Sequence, residues 1–356
     1  MIWSTQWPFI TSLFFLSHAS FGQTMTHDAT PLEIQHAKEI NQALRANAPK
    51  SPQVRDYIPT PDDAPFAYVL MSGSDRGHAE VLKLREAIAR NLPQGVKLVL
   101  LTRRSQAAGL RAKYEHWISP DRLIIAADDD PSNSNGFWAR DAFPVPVWNS
   151  DSRESSLVSL NYYRPFNSSK TIADSVAAKS SAFGQVFVGG NILADEDGNC
   201  FSVNSYRLFD LNADEIQSFF GCRSVTLLDH LAGLGDVDEV IKPIAGHRML
   251  TNNETYKRLL EAQNYGVIML PQIPGSYRTY INSLIVNDTV FMPAYGVPSD
   301  AKATEVYESL GFKVIPIRSN DLSDSMHGSI HCQTMAYPPM PQDVLLRALG
   351  VSEVSR

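Results

Sequence analysis

Short strand-like runs alternate with single helix-like segments along most of the chain, and this alternation limits the fold more than any other feature of the sequence. Strand patterns fall at Phe66–Met71, Lys97–Leu101, Leu123–Ala126, Ser156–Tyr162, Val186–Leu193, Val225–Leu228, Val267–Leu270, Ile281–Val286, Thr289–Met292 and Val314–Ile317. Helical spacing appears at Ala79–Leu92, where Val81, Leu84 and Ile88 share a face, and at Ile172–Ser181, Ala213–Phe220, Glu254–Asn264 and Asp300–Leu310. Elements this short, interleaved rather than segregated, argue for one mixed α/β body and not for a parallel sheet alone. A hydrophobic fraction of 44% supplies enough apolar surface for its core. No exact repeat or low-complexity linker divides the 356 residues.

The N-terminus reads separately. Met1–Gly22 holds no Lys, Arg, Asp or Glu, its Phe9–Leu16 stretch is mostly apolar, and small residues follow at Ser17-His18-Ala19 and Ser20-Phe21-Gly22. The stretch is too short to span a bilayer comfortably, and the small-x-small pattern fits a cleaved signal peptide, although the n-region has no basic side chain. A secreted or periplasmic location follows as an expectation. Beyond a polar stretch, Thr30-Pro31-Leu32-Glu33 has the form of a capping box with Pro at the first helical position. Ile34, Ala37, Ile40 and Leu44 continue at helical spacing, and the Pro- and Asp-rich Asn47–Ala64 reads as a loop. The expected divisions are 1–22 leader, 23–64 N-terminal helix and loop, 65–340 catalytic body and 341–356 tail.

A net charge of −7 with no Lys/Arg run makes nucleic acid a poor partner and a cationic small molecule or basic peptide a better one. No membrane partner is expected after leader removal, and oligomeric state is not readable. Of three cysteines, Cys200 and Cys222 are close enough in sequence to bridge, which would leave Cys332 free; three isolated buried thiols are the alternative.

Four segments are unusual for plain structure. Gly136-Phe137-Trp138-Ala139-Arg140-Asp141-Ala142-Phe143-Pro144 sets a charged pair among aromatics, where charges need partners. Gly189-Gly190-Asn191 lets backbone approach something closely. In Gly235-Asp236-Val237-Asp238-Glu239, Asp236 and Asp238 would share one face of a strand and suit a cation with several N–H donors; an exposed acidic turn is the plainer reading. Met326-His327-Gly328-Ser329-Ile330-His331-Cys332-Gln333-Thr334 places a cysteine beside a histidine, an arrangement suited to a nucleophile. Zinc would need further ligands at spacing that only His327 approaches, so no metal is expected. Asp195-Glu196-Asp197-Gly198-Asn199 lacks the spacing of a calcium loop and reads as a hairpin turn.

In this order the four segments resemble the guanidine-modifying family that contains agmatine deiminase and the bacterial type of peptidylarginine deiminase. The likeness runs from about Phe66 to Pro338. It rests on Trp138-Ala139-Arg140-Asp141, similar to the family's Trp-x-Arg-Asp, on Gly189-Gly190-Asn191, on Tyr280–Asn287, on Met292-Pro293 and on Ile330-His331-Cys332. The resemblance implies a pentein fold, five ββαβ-like units around a pseudo-fivefold axis, over residues 65–340. It implies hydrolysis of a guanidinium to a ureido group with loss of ammonia, through a covalent thiouronium on Cys332. Asp141 and Asp238 would clamp the guanidinium in charge-assisted hydrogen bonds, with Asp236, Arg140 and Asn191 also on the substrate, and no cofactor is implied. Two positions depart from the pattern. The family's His-x-Asp is here Asp236-Val237-Asp238, which removes the histidine that protonates ammonia and activates water; His230, His327 and His331 are the other candidates for that role. Phe143 stands where the family has Gly. A pentein that binds guanidinium ligands or basic peptides without turnover is the alternative reading, and amidino transfer a lesser one.

Overall fold

The structure is a computed structural model that describes residues 27–47, 57–74, 77–127, 136–149, 151–152, 154–160, 162, 186–205, 211–231, 233–275 and 277–355. The leader at 1–22 and the helix expected at Ile172–Ser181 lie outside these residues. The N-terminal part runs α1 (Pro31–Asn47), β1 (Tyr57–Pro59), β2 (Tyr68–Ser72), α2 (Ala79–Asn91), β3 (Lys97–Thr102), α3 (Ala107–Tyr114), β4 (Leu123–Ala127), α4 (Ala139–Ala142), β5 (Val145–Asn149) and β6 (Ser155–Val158). The middle adds β7 (Leu193–Ala194), β8 (Asn199–Asn204), α5 (Ala213–Phe220), β9 (Ser224–Asp229), β10 (Ile241–Ile244), β11 (Arg248–Thr251), α6 (Glu254–Glu261) and β12 (Gly266–Met269). The C-terminal part is β13 (Leu284–Val286), β14 (Thr289–Ala294), α7 (Ser299–Ser309), β15 (Lys313–Arg318), α8 (Asn320–Met326), β16 (Thr334–Tyr337), α9 (Gln342–Ala348) and β17 (Ser352–Glu353).

These strands form five sheets. Three repeat one plan. In β7-β8-β9, β10-β11-β12 and β13-β14-β15 the first two strands are antiparallel, a helix follows, and the third strand returns parallel to the second. A fourth sheet, β16-β2-β3-β4-β17, joins the two ends of the chain: β16 pairs antiparallel with β2, in register Thr334 to Met71. The fifth is β1-β5-β6. Asn212 and Asn253 cap α5 and α6, each accepting two backbone N–H groups on its side chain. Val81, Leu84 and Ile88 of α2 lie against Val69, Met71, Leu98, Leu100 and Ile125 of the fourth sheet. Each such side chain contributes about 1.5–3 kcal/mol by burial.

The expected α1 forms with its capping box: Thr30 N–H donates to Glu33 Oε2 at 2.8 Å and Glu33 N–H to Thr30 Oγ1 at 3.2 Å. Three expectations need correction. The 47–64 loop contains β1, which pairs with β5. The expected Val186–Leu193 strand is broken, because Gly189–Asn191 turns as a 3₁₀ segment to meet the 139–142 turn, and only Leu193–Ala194 is strand. Residues 341–356 are no tail: they carry α9 and β17, which pairs antiparallel with β4. The Asp195–Asn199 hairpin turn is present, with Gly198 at φ +82° and Asp195 Oδ1 accepting from the N–H groups of Asp197 and Asn199. Cys200 and Cys222 form a disulfide with Cα atoms 5.8 Å apart, and Cys332 is free and buried.

The connections that enter the sheets bring the chemistry together. Asp141 lies just before β5, Gly189–Asn191 before β7, Asp236–Glu239 before β10, Asn282 before β13 and Cys332 before β16.

Candidate active site

The 139–142 turn is held from both sides. Asp141 N–H donates to Trp138 O at 3.2 Å and Phe143 N–H to Ala139 O at 3.1 Å, while Arg140 N–H donates to Cys332 O at 3.1 Å. A Cβ on Gly189 would lie 2.0 Å from Arg140 O. Only glycine permits that approach, as the paired glycines suggested. A Cβ on Gly190 would meet Asp141 Oδ1 at 2.9 Å and both Asp236 Oδ2 and Asp238 Oδ2 at 3.4 Å, so three carboxylates converge on this one backbone position. Gly190 N–H donates to Asp141 Oδ1 at 3.3 Å.

Asp236 and Asp238 reach the site differently from the strand reading. Val237–Glu239 is a 3₁₀ turn. Val237 is buried among Leu193, Phe201 and Ile241, and both aspartates are 0% exposed. They are therefore no acidic surface turn. Asn191 sets the turn in place: its Oδ1 accepts from Val203 N–H at 2.9 Å and Val237 N–H at 3.0 Å, and its Nδ2 donates to Val203 O at 2.8 Å. Both ends of the amide serve backbone. Asn191 thus ties the Val237 turn to β8.

Arg140 also differs from expectation. Its Nη1 lies 3.7 Å from Asp62 Oδ1, in a buried hub where Lys242 Nζ lies 2.8 Å and His331 Nε2 2.9 Å from Asp62 Oδ2. Its guanidinium faces Asp62 in this hub. Burial opposes ionisation of Asp62, but His331, then Lys242 and Arg140, overcome it and hold the carboxyl well below the ordinary carboxylate range. His331 bridges the hub to the site: its Nδ1 is 2.6 Å from Asp238 Oδ2.

Cys332 sits at the centre of the turn that enters β16. Asn282 Nδ2 donates to its Sγ at 3.1 Å, and the thiol lies 3.8 Å from Asp238 Oδ2. Burial, then the charges of Asp238, Glu239 and Asp141, push the thiol well above its ordinary pKa. The resting cysteine is a neutral thiol in a strongly acidic pocket. Asp62, Asp141, Asp236, Asp238 and Glu239 are each at most 6% exposed, and among the described residues Arg140 and Lys242 are buried cations that face this group at Asp62. A cation that entered would relieve this imbalance and lower the thiol pKa together.

The sequence reading missed five participants. Asn282 and Glu239 lay inside segments already singled out. Asp62 sat in the expected loop, and Lys242 is a buried lysine inside a four-residue strand. His27 had no signal at all in a polar stretch. Yet its ring is 0% exposed, its Nε2 lies 2.6 Å from Asp141 Oδ2, and it stacks on Trp138 with centroids 4.4 Å apart. Of the three histidines considered for proton transfer, His230 is exposed with Nε2 3.1 Å from Gly233 O. His327 pairs with Asp28 and stacks on Tyr277. His331 faces a carboxylate at each nitrogen. Donor atoms of His27, Glu239 and Cys332 lie within 4.8 Å of one another, as do those of His27, Asp141 and Asp236. These are ligand types that hold a divalent metal, and an ion there would cover the nucleophile. A cleft of about 200 Å³, lined by Glu239, Tyr256, Gln272, Tyr277, Arg278 and Thr279 among others, reaches the site at Glu239.

Comparison with known proteins bears on the fold. Residues 246–338 match the model of the Porphyromonas-type peptidyl-arginine deiminase family. No curated protein matches the chain by sequence. Among solved structures, agmatine deiminase of Enterococcus faecalis superposes with a TM-score of 0.63 at 18% identity, over 82% of this chain and 99% of its own. Agmatine deiminase of C. jejuni gives 0.63 at 15% identity, over 80% of this chain and 96% of its own. A cysteine-to-serine form of the C. jejuni enzyme with substrate bound gives 0.63 at 14% identity, over 79% and 96%. The fold is that of the penteins. The family likeness by sequence is confined to residues 246–338, and the likeness to the agmatine deiminases is one of fold.

Proposed function

We propose that this protein is an exported deiminase that hydrolyses the guanidinium of agmatine, arginine or peptidyl arginine to a ureido group and releases ammonia. The observation that carries the reading is the buried free thiol of Cys332, 3.8 Å from Asp238 Oδ2 and enclosed by carboxylates. A pocket with excess buried negative charge suits a planar cation with forked N–H donors. That cation offsets the carboxylates, the thiol ionises beside it, and the thiolate attacks the guanidinium carbon. Asp141 and Asp238 hold the guanidinium nitrogens, and Asp236 adds a third carboxylate to the clamp. The remainder of the substrate lies in the cleft that begins at Glu239. That the C. jejuni agmatine deiminase of this fold holds its substrate in a cysteine-to-serine form supports a cysteine-dependent reading. Export rests on the leader pattern at 1–22 and is checked by sequencing the N-terminus of the secreted protein.

Binding without turnover is the second reading, favoured by the buried aspartate at 236 in place of a histidine. Ammonia and ureido-product release from agmatine, arginine and a short peptide ending in arginine separates the two. Cys332-dependent release from any of them supports the deiminase, and the best substrate defines its branch. Tight arginine binding by folded protein with no release supports the binder.

A further inference from the structure

Breaking a guanidinium C–N bond at Cys332 needs a proton for the departing ammonia and later a base for water, and an ordinary carboxylate is a poor proton donor near neutral pH. Among the described residues, two buried histidines are near the thiol. His331 is committed to Asp238 at one nitrogen and faces Asp62 at the other. His27 has a ring nitrogen within 4.8 Å of both Cys332 Sγ and Glu239, and Asp141 Oδ2 lies 2.6 Å from its Nε2. We propose that His27, carried in by the segment ahead of α1, is the general acid and base of the reaction. The inference rests on the deiminase reading of the same site.

The arm is built to hold this imidazole in place. His27 N–H donates to Met326 O at 2.6 Å, the ring stacks on Trp138, and the next residue, Asp28, pairs with His327. Gly328 leaves the room: a Cβ there would stand 2.6 Å from Trp138 and 3.1 Å from His27 Nδ1. A carboxylate that orients an imidazole beside a nucleophile is the arrangement through which such groups act. In the first step His27 takes the proton of the Cys332 thiol, and the thiolate adds to the guanidinium carbon. The C–N bond then breaks, and its nitrogen leaves as ammonia with a proton from the His27 imidazolium. In the second step the now neutral His27 takes a proton from water as the hydroxide adds to the thiouronium carbon. The S–C bond breaks to release the ureido product and the thiolate. One water is consumed, and the hydroxyl proton lost on collapse converts ammonia to ammonium. Asp141 thereby serves both the guanidinium and the imidazole.

The test compares wild type, Cys332→Ala, His27→Ala and His27→Gln for ammonia release, with thermal melting of each. Glutamine keeps a hydrogen-bonding group toward Asp141 but transfers no proton. We expect kcat to fall about 10²- to 10⁴-fold in both His27 variants, with KM changed far less. The limb of the kcat–pH profile set by the imidazole should vanish, and added imidazole should partly restore His27→Ala. Cys332→Ala should be inactive. Turnover within threefold of wild type in His27→Gln, with an unchanged pH profile, overturns the role. Faster turnover or a lower KM in His27→Ala also overturns it, because the arm is then a plug on the substrate site. A wild type that releases no ammonia from any substrate fails earlier, at the deiminase reading, and removes the role of His27 with it.

Discussion

His27 and Asp141 are 114 residues apart in sequence and 2.6 Å apart in the fold. That pair ties the N-terminal segment to the carboxylates that surround Cys332. It means that the site is assembled from six separate stretches of chain, 27, 62, 141, 236–239, 282 and 331–332.

Asp238 touches both His331 and the thiol. Asp238→Asn keeps the shape and removes the charge. Deiminase kcat/KM should fall about 10²- to 10³-fold, the scale of losing one preorganised charged contact. Circular dichroism should remain native. A variant that retains full turnover would remove Asp238 from the clamp.

Asp62 is the hub of a buried charge cluster. Asp62→Asn leaves Lys242, 0% exposed, without its carboxylate, and the loss should be about 3–5 kcal/mol by denaturant unfolding. The sign of the pH effect follows from the lowered folded value. The unfolded carboxyl titrates near its ordinary value of 3.8, so the Asp62 contribution is fully present above that pH and is lost as pH falls toward the lower folded pKa. Acid unfolding of wild type should therefore carry a component that Asp62→Asn lacks. Identical acid limbs in the two proteins would count against the hub.

Burial and three neighbouring acids raise the Cys332 thiol. Iodoacetamide should label it slowly at neutral pH, with the rate still climbing at pH 9, the ordinary thiol value. A cationic chloroamidine should react faster than iodoacetamide despite equal access. Rapid labelling by the neutral reagent at pH 7 would contradict the acidic pocket.

Reducing the Cys200–Cys222 disulfide releases a loop of 22 residues. The expected loss is about 2–4 kcal/mol in unfolding free energy, with turnover kept because neither sulfur lies in the site. Loss of activity in reduced but folded protein would show that the bridge matters to the catalytic geometry.

The mixed α/β plan was legible because strand and helix periods are local properties, and α5 was read to the residue at Ala213–Phe220. The Val186–Leu193 run misled because its apolar residues are buried as a strand would be, although Gly189 and Gly190 bend the chain against Arg140 and Asp141. That Cys332, Asp141 and Asp238 come together was legible through motif order. The parts played by Arg140 and Asn191 were not, because a side chain's partner is set by tertiary approach: Asp62 claims the first and the Val203 and Val237 backbone the second. His27 was invisible for the same reason, since nothing local marks a histidine that travels to a site formed elsewhere.

The most direct test of the account is acid-quenched peptide mass spectrometry of wild-type protein mixed with substrate. A guanidine-derived adduct on the Cys332 peptide, with ammonia released and both lost in Cys332→Ser, is the predicted result. Ureido product formed by Cys332→Ser at the wild-type rate, or wild-type turnover with an adduct on another residue, would contradict it.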